Sequence, residues 1–217
     1  MRIGIAIMIK DEVEDLKETL ESLFVDGCDW STLTIQHNGG RIEEMKALLD
    51  GYSERTMVCY HRADWTDFSV NRNLLLDSAK ETSDDLTVLL DAGEIANDFC
   101  ILFYPRNNYI LGADKIEGYV MPLVNVDNGT RGNVTISRRI AIVRTHSKVR
   151  YMYPIHEELV ITHLCPSIAI KGGIIHLAIT RKPGDSHDRI RNSDIPLLKS
   201  RLEKEWSMHD AAYLRQS

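Results

Sequence analysis

The chain has 217 residues, of which 43% are hydrophobic and 27% are charged, and its formal net charge is -6. This length can bury a full core in one domain, and the composition excludes a disordered or fibrous protein. No apolar stretch approaches the ~18 residues of a membrane helix and no signal-peptide pattern opens the chain, which predicts a cytoplasmic protein with no membrane contact.

Strands and helices are predicted to alternate through the first 100 residues. Apolar runs predict strands at residues 2–9, 33–36, 56–60 and 86–90. Segments with apolar residues on one face predict three helices, the first carrying Leu16, Leu20, Leu23 and Phe24, the second starting at Arg41, and the third covering residues 69–79. This alternation is typical of βαβ units and predicts a parallel sheet with right-handed crossovers.

Beyond about residue 105 the pattern changes to β-rich segments at residues 116–126, 133–143 and 168–179. Turn residues separate them at 127–129 and 171–173, which predicts an antiparallel or mixed arrangement. A charged helix interrupted by Pro196 is predicted over 186–205, and a last short helix over 208–214.

Charge is divided unevenly along the chain. Residues 1–100 contain 9 basic and 21 acidic side chains, a balance of -12, whereas residues 101–217 contain 17 basic and 11 acidic ones, a balance of +6. The split suggests that the second half meets an anionic partner, and a solvated basic face is the alternative. The first basic cluster consists of Arg131, Arg138, Arg139, Arg144, Lys148 and Arg150.

The apolar run at residues 86–90 ends abruptly in Asp91-Ala92-Gly93-Glu94. Ligands of open α/β sheets gather at the carboxyl ends of the strands, so Asp91 and Glu94 are expected to face a bound molecule. Two carboxylates there can hold a divalent cation, which in turn holds phosphates. The alternative is that Asp91 caps a helix that begins near Ile95.

Four motifs in order resemble the family 2 glycosyltransferases of GT-A fold, and especially the branch often fused to tetratricopeptide repeats. They are Met-Ile-Lys-Asp-Glu at 8–12, Asp-Trp-Thr-Asp-Phe-Ser-Val-Asn-Arg-Asn at 64–73, Leu-Leu-Asp-Ala-Gly-Glu at 89–94 and Ile-His-Glu-Glu-Leu at 155–159. The resemblance implies one α/β domain over 1–217, with a mainly parallel central sheet flanked by helices. Within it, residues 1–104 would bind the nucleotide-sugar, 105–185 would form a β-rich acceptor half, and 186–217 would be C-terminal helices.

The resemblance implies a nucleotide-diphosphate-sugar donor, with a UDP-sugar as the first choice. Its predicted donor-pocket residues are Lys10, Glu12, His37, Asn38, Asp67, Arg72 and Asp91. Arg72 would lie near the diphosphate, since a guanidinium suits phosphate oxygens, and a surface ion pair is the alternative for it. The family commonly places an Asp after its second strand, where this chain has His37-Asn38-Gly39-Gly40, whose first two side chains can hydrogen-bond a base or sugar edge.

The family's acidic motif is Asp-x-Asp, and Gly93 occupies the position of its second Asp. The predicted cofactor is Mn²⁺ or Mg²⁺, held by Asp91, Glu94 and His176, with His156 as a substitute for His176. Three alternatives remain open. Glu94 reaches in, or the cation is held by Asp91, a histidine and the diphosphate alone, or the enzyme works without metal and uses Arg and Lys.

The resemblance also implies inverting sugar transfer, with Glu157 as the base that deprotonates the acceptor hydroxyl. Such a base contributes typically ~10² to 10⁴-fold to the rate. A solvated strand end is the alternative for the Glu157-Glu158 pair. The basic second half suits nucleic acid as acceptor, for example the hydroxymethylated bases of a phage DNA, and a protein, peptide or glycan acceptor is an equal candidate.

A competing class is a non-catalytic GT-A-like module that binds a sugar nucleotide or scaffolds a partner. A nucleotidyltransferase ranks lower, because no Gly-rich phosphate loop follows the first strand. The sequence predicts neither the donor sugar nor the oligomeric state.

Overall fold

The computed structural model describes residues 1–104, 116–126, 134–153, 158–161, 164–165 and 178–181. The strands in these ranges are β1 (Ile3–Ile9), β2 (Thr32–His37), β3 (Met57–Arg62), β4 (Leu86–Asp91), β5 (Glu94–Asn97), β6 (Gly118–Val126), β7 (Val134–Arg144), β8 (Arg150–Met152), β9 (Glu158–Val160), β10 (Leu164–Cys165) and β11 (Ala178–Arg181). The helices are α1 (Val13–Leu23), α2 (Ile42–Asp50) and α3 (Phe68–Ala79), with a short 3-10 helix at Phe99–Phe103.

The described residues form one nine-stranded sheet and one two-stranded sheet. The large sheet runs β3-β2-β1-β4-β7-β6-β11-β5, with β10 paired to β6, and β8 pairs with β9 in the small one. The first four strands are mutually parallel, whereas β7 is antiparallel to both β4 and β6. The predicted parallel first half and mixed second half are therefore confirmed for these strands.

Helices cover both faces of the parallel strands, which explains why β1 is apolar almost throughout. Alternate β1 residues Ile3, Ile5, Ile7 and Ile9 belong to the core cluster that contains α1 and α2. On the opposite face Ala6 joins the cluster of α3. The apolar face of α1 lies as predicted, since Leu16, Leu20, Leu23 and Phe24 are all buried. The prediction of an α/β fold with a mainly parallel central sheet flanked by helices is confirmed.

One local alternative was wrong. Residues Glu94–Asn97 form strand β5, antiparallel to β11, so no helix begins near Ile95 for Asp91 to cap. The turn from β4 into β5 is too tight to start a helix, because Gly93 has φ +85 and its N–H donates to Thr19 Oγ1 in α1 at 2.9 Å.

Strands from both predicted halves share the large sheet. The boundaries proposed at 104/105 and 185/186 remain predictions, because residues 105–115 and 182–217 lie outside the described ranges. The helices predicted over 186–205 and 208–214, and most of the strand predicted over 168–179, lie there as well. In the part of the chain that the structure describes, no helix is long and apolar enough to cross a membrane.

Candidate functional site

The carboxyl ends of the four parallel strands meet at one edge of the sheet. Ile9 of β1 lies beside His37 of β2, which lies beside Arg62 of β3, and Met8 lies beside Asp91 of β4. Neighbouring strands are about 4.8 Å apart, so residues after β2 and after β4 are separated by about 10 Å across β1. This edge is where α/β sheets bind ligands, and three of the four motifs end there.

The backbone N–H groups of Lys10 and Asp11, which follow β1, already donate hydrogen bonds within the protein. Glu12 Oε2 accepts hydrogen bonds from the N–H groups of Lys10 and Asp11, both at 2.9 Å. Asp11 Oδ1 in turn accepts from the N–H of Gly40 at 2.7 Å and of Arg41 at 3.2 Å, and these bonds hold the pKa of the Asp11 carboxyl below its ordinary value. The exposed carboxylates of Asp11 and Glu12 thus organise the first two loops of this edge.

His37 is the last residue of β2, and Asn38 follows it. His37 is buried, its Nδ1 lies 2.5 Å from Tyr60 Oη, and burial lowers the pKa of its imidazole. Asn38 Nδ2 donates to the carbonyl of Ala63 at 2.8 Å, whereas its Oδ1 is buried and accepts no hydrogen bond from the described residues. The predicted roles of His37 and Asn38 in the donor pocket stay predictions.

Gly39 lies in the loop after β2, close to the backbone of the loop after β1. A Cβ at this position would lie 1.9 Å from the carbonyl oxygen of Lys10, which is inside any allowed contact. The loop after β2 therefore passes directly against the loop after β1, and only glycine fits there.

Asp67 acts as the N-cap of α3. It is 4% exposed, and its Oδ1 accepts from the N–H of Val70 at 2.8 Å and from Ser69 Oγ at 2.9 Å. A capping carboxylate also complements the helix dipole. Its predicted place in the donor pocket stays a prediction.

Arg72 reaches from α3 to the end of β4. Its Nη2 lies 2.8 Å from Asp91 Oδ1, and its guanidinium lies 5.4 Å from the ring centre of Tyr151. Asn73 fixes the backbone of Tyr151, donating to its carbonyl and accepting from its N–H, both at 2.9 Å. The pocket residues Arg72 and Asp91, predicted from separate motifs, therefore lie in direct contact.

Sequence reasoning did not select Arg139 as a site residue. The paired residues of β4 and β7 end at Val88 and Ile142, and Arg139 lies three residues further along β7, beyond the irregularity between Ile142 and Ile140. Its Nη1 donates to Glu94 Oε1 at 2.7 Å and its Nη2 to Glu94 Oε2 at 2.6 Å, while Nη1 also lies 3.5 Å from Asp91 Oδ2. Burial lowers the pKa of this guanidinium, but Glu94 and Asp91 raise it by more.

Glu94 is fully buried, and its Oε2 also accepts from the N–H of Asp91 at 2.9 Å. Removing one partner of a buried pair of this kind costs about 3–5 kcal/mol, because the other charge is left uncompensated. The two carboxylates and two guanidiniums form one charge cluster of Arg72, Asp91, Glu94 and Arg139, whose formal charges cancel.

A metal-binding side chain at position 93 is disfavoured in this backbone. A Cβ built there would lie 3.6 Å from Asp15 Cβ of α1, so a side chain would start toward the helix. The φ of +85 also disfavours any residue with a Cβ. The departure from Asp-x-Asp is therefore built into the β4–β5 turn.

The described part of the site does not fit a divalent cation. No group of three or more His, Cys, Asp or Glu side chains in the described ranges lies close enough to hold a metal ion. Both carboxylate oxygens of Asp91 face guanidinium groups, and both oxygens of Glu94 bond Arg139. The predicted ligands His156 and His176, and the predicted base Glu157, lie outside the described residues, so their roles remain predictions.

Part of the basic cluster of the second half is used inside the molecule. Arg139 bonds Glu94, Arg150 Nη2 lies 2.7 Å from Asp77 Oδ1 of α3, and Arg144 Nε donates to the carbonyl of Ile116 at 2.8 Å. Some basic side chains of the second half thus pair with acidic side chains of the first half. Ion pairing between the halves is therefore an explanation of the uneven charge distribution, in addition to an anionic partner.

No protein-family model and no curated protein sequence matches the chain. Among solved structures, it is similar to S. aureus TarS 1-349 (12% identity, 67% of this chain and 47% of that one, TM-score 0.43) and to the same protein in complex with UDP (12% identity, 61% and 37%, TM-score 0.40). It is also similar to a putative glucose-1-phosphate thymidylyltransferase from Bacillus anthracis (13% identity, 66% and 72%, TM-score 0.40). The chain spans less than half the length of these TarS structures. At this level of similarity, the function has to be argued from the chain's own residues.

Proposed function

We propose that the chain is a nucleotide-sugar-dependent glycosyltransferase of GT-A fold that transfers a sugar from a UDP-sugar to an acceptor hydroxyl with inversion. The observation that supports this most is the contact of Arg72 with Asp91 at the carboxyl end of β4. These residues come from two of the motifs on which the resemblance depends, and they meet at the edge where such a sheet binds ligands.

In this proposal the base and ribose bind near Asn38 and the loop of Lys10 to Glu12, and the diphosphate binds near Arg72. Arg72 is well suited to the diphosphate because it combines a delocalised charge with several parallel N–H donors. It is also held in place, by Asp91 on one side and the Tyr151 ring on the other. A preorganised cation stabilises the charge that develops on the leaving group.

Glu157 is the proposed base, carried over from the Ile-His-Glu-Glu-Leu motif. It would take the proton of the acceptor hydroxyl while the UDP leaves from the opposite face of the sugar. The predicted Mn²⁺ or Mg²⁺ is not used in this proposal, because the carboxylates of Asp91 and Glu94 already contact guanidinium groups.

The acceptor candidates are nucleic acid with hydroxymethylated bases, a protein or peptide, and a glycan. The internal use of Arg139, Arg144 and Arg150 leaves the nucleic-acid candidate with fewer supporting charges than the sequence suggested. Transfer from a radiolabelled UDP-sugar to each acceptor class, at low salt for DNA, distinguishes these candidates.

The first test is a thermal-shift screen of nucleoside diphosphates, followed by an assay of UDP-sugar hydrolysis. A ligand that binds only the folded chain raises its apparent stability. We expect UDP to stabilise the chain and Glu157→Gln to abolish hydrolysis while UDP binding persists. Glu158→Gln is the matched control and should keep hydrolysis. Binding of UDP without Glu157-dependent hydrolysis or transfer would identify a non-catalytic sugar-nucleotide-binding module instead.

A further inference from the structure

The charge cluster contains a cation where a metal ion would be needed. The Arg139 guanidinium lies between two carboxylates, with Nη1 at 2.7 Å from Glu94 Oε1 and at 3.5 Å from Asp91 Oδ2. A divalent cation that bridges two acidic residues makes contacts of the same kind. Arg139 lies on β7, which pairs with β4 as far as Val88 and Ile142, and its side chain reaches Asp91 at the end of β4.

Two observations show that the Arg139 guanidinium is held in place. Its Nη1 donates to Glu94, and its Nη2 donates both to Glu94 and to the carbonyl of Leu89, the latter at 2.9 Å, so both terminal nitrogens are bonded. Glu94, which it bonds through both oxygens, has no exposed surface. Such a two-bond contact between a guanidinium and a carboxylate is among the strongest that side chains make.

The same arrangement opposes a metal ion. A divalent cation on Asp91 would have to displace guanidinium contacts at both carboxylate oxygens, and it would be repelled by Arg72 and Arg139. Position 93 is a glycine, so it supplies no carboxylate that could offset this repulsion.

We propose that Arg139 is a built-in replacement for the divalent cation, so that the chain binds a nucleoside diphosphate without metal. Arg139 is thus a positioning residue: it neutralises Glu94 and holds Asp91, and Asp91 in turn holds Arg72 toward the diphosphate. The inference rests on the proposed donor site. It adds that the positive charge at this site comes from the Arg139 guanidinium and not from a metal ion.

The test is titration calorimetry of UDP into the full chain, in excess EDTA and again with saturating Mn²⁺. We expect the two dissociation constants to agree within about twofold, because the carboxylates that would bind the ion are already bonded. If the wild-type chain binds UDP only with Mn²⁺, the replacement is refuted while the donor site stands. If it binds no nucleoside diphosphate in either buffer, the proposed function fails and this inference with it.

Variants of Arg139 make the test specific. Arg139→Met should weaken UDP binding about tenfold or more in EDTA, and Mn²⁺ should restore it, since Asp91 and Glu94 then become available as metal ligands. Arg150→Met removes another contact between the halves, that with Asp77, and should change neither result.

A second variant covers the case in which Arg139→Met does not fold. The double variant Arg139→Met with Glu94→Gln removes both charges of the buried pair, so it should fold. We expect it to bind UDP more weakly than wild type in EDTA and to gain little from Mn²⁺, because an amide is a weaker ligand than a carboxylate. Wild-type affinity in this variant would refute a positioning role for Arg139.

Discussion

The Nη2 atom of Arg72 in α3 lies 2.8 Å from Oδ1 of Asp91 at the end of β4. The contact joins a helix to the strand edge of a parallel sheet, and Arg139 approaches the other oxygen of the same carboxylate. Asp91 therefore links the two arginines of the charge cluster, one from each half of the chain.

Replacing Asp91 by asparagine should lower the free energy of unfolding by about 1–3 kcal/mol, because two partly buried guanidiniums lose a charged partner. Urea unfolding measures this value. Asp77→Asn is the matched control: its pair with Arg150 is exposed, so its loss should stay within about 0.5 kcal/mol. Equal effects of the two substitutions would mean that the Asp91 contacts add no stability beyond an ordinary surface pair.

Asn73 joins α3 to β8 through two hydrogen bonds to the Tyr151 backbone. Asn73→Ala should cost about 1–3 kcal/mol, since a backbone N–H and a carbonyl both lose their partner. It should also weaken UDP binding slightly, because Tyr151 lies beside Arg72. Ser53→Ala, which removes one exposed hydrogen bond to Asp50, is the control and should have a small effect. A loss of similar size in Ser53→Ala would contradict this role for Asn73.

Gly93 lies in the tight turn between β4 and β5 and has a φ of +85. Gly93→Ala should lower the free energy of unfolding by about 1–2 kcal/mol, because φ +85 is unfavourable for a residue with a Cβ. Gly40→Ala is the control: its Cβ would come no closer than 4.0 Å to Asp11 Oδ1, so the cost should be smaller.

Introducing an aspartate at position 93 should not create a metal site. Gly93→Asp starts its side chain toward Asp15, which adds like-charge repulsion to the backbone cost. We expect Mn²⁺ to leave the melting temperature of this variant unchanged. Stabilisation by Mn²⁺ that wild type lacks would show that position 93 faces the site after all.

His37 should make stability depend on pH. Burial lowers the pKa of its imidazole in the folded chain, so the unfolded chain binds a proton more readily. The stability from neutral His37 is therefore complete above about pH 6.5 and decreases as the pH falls below that value. Urea unfolding at pH 7.5 and at pH 5.5, about one unit on either side of pH 6.5, measures the change in the free energy of unfolding. His37→Gln should flatten this part of the profile, and an unchanged profile in this variant would contradict the role of His37.

Much of the parallel half could be predicted from sequence because its signals are local. Each strand is a short apolar run, and the buried face of α1 follows from residues spaced three and four apart. Strand β5 was not predicted, since four residues with one buried charge give no strand pattern.

The charge cluster could not be predicted from local sequence patterns, because its members are far apart along the chain. Arg72 and Asp91 were selected from motifs, but Arg139 was one of five arginines and one lysine in a basic cluster. Its place depends on the pairing of β7 with β4, which brings the side chains of residues 48 positions apart into contact. The available signal was the Arg138-Arg139 pair within a predicted strand, because adjacent side chains of a strand face opposite sides of the sheet and one of the two must face the covered side.

The central claim is that Arg72 binds the diphosphate of a nucleotide donor, and the affinity for UDP in wild type, Arg72→Met and Arg150→Met tests it most directly. The account predicts calorimetric binding by wild type, a loss of about tenfold or more in Arg72→Met, and no change in Arg150→Met. Unchanged UDP affinity in a folded Arg72→Met variant would contradict it.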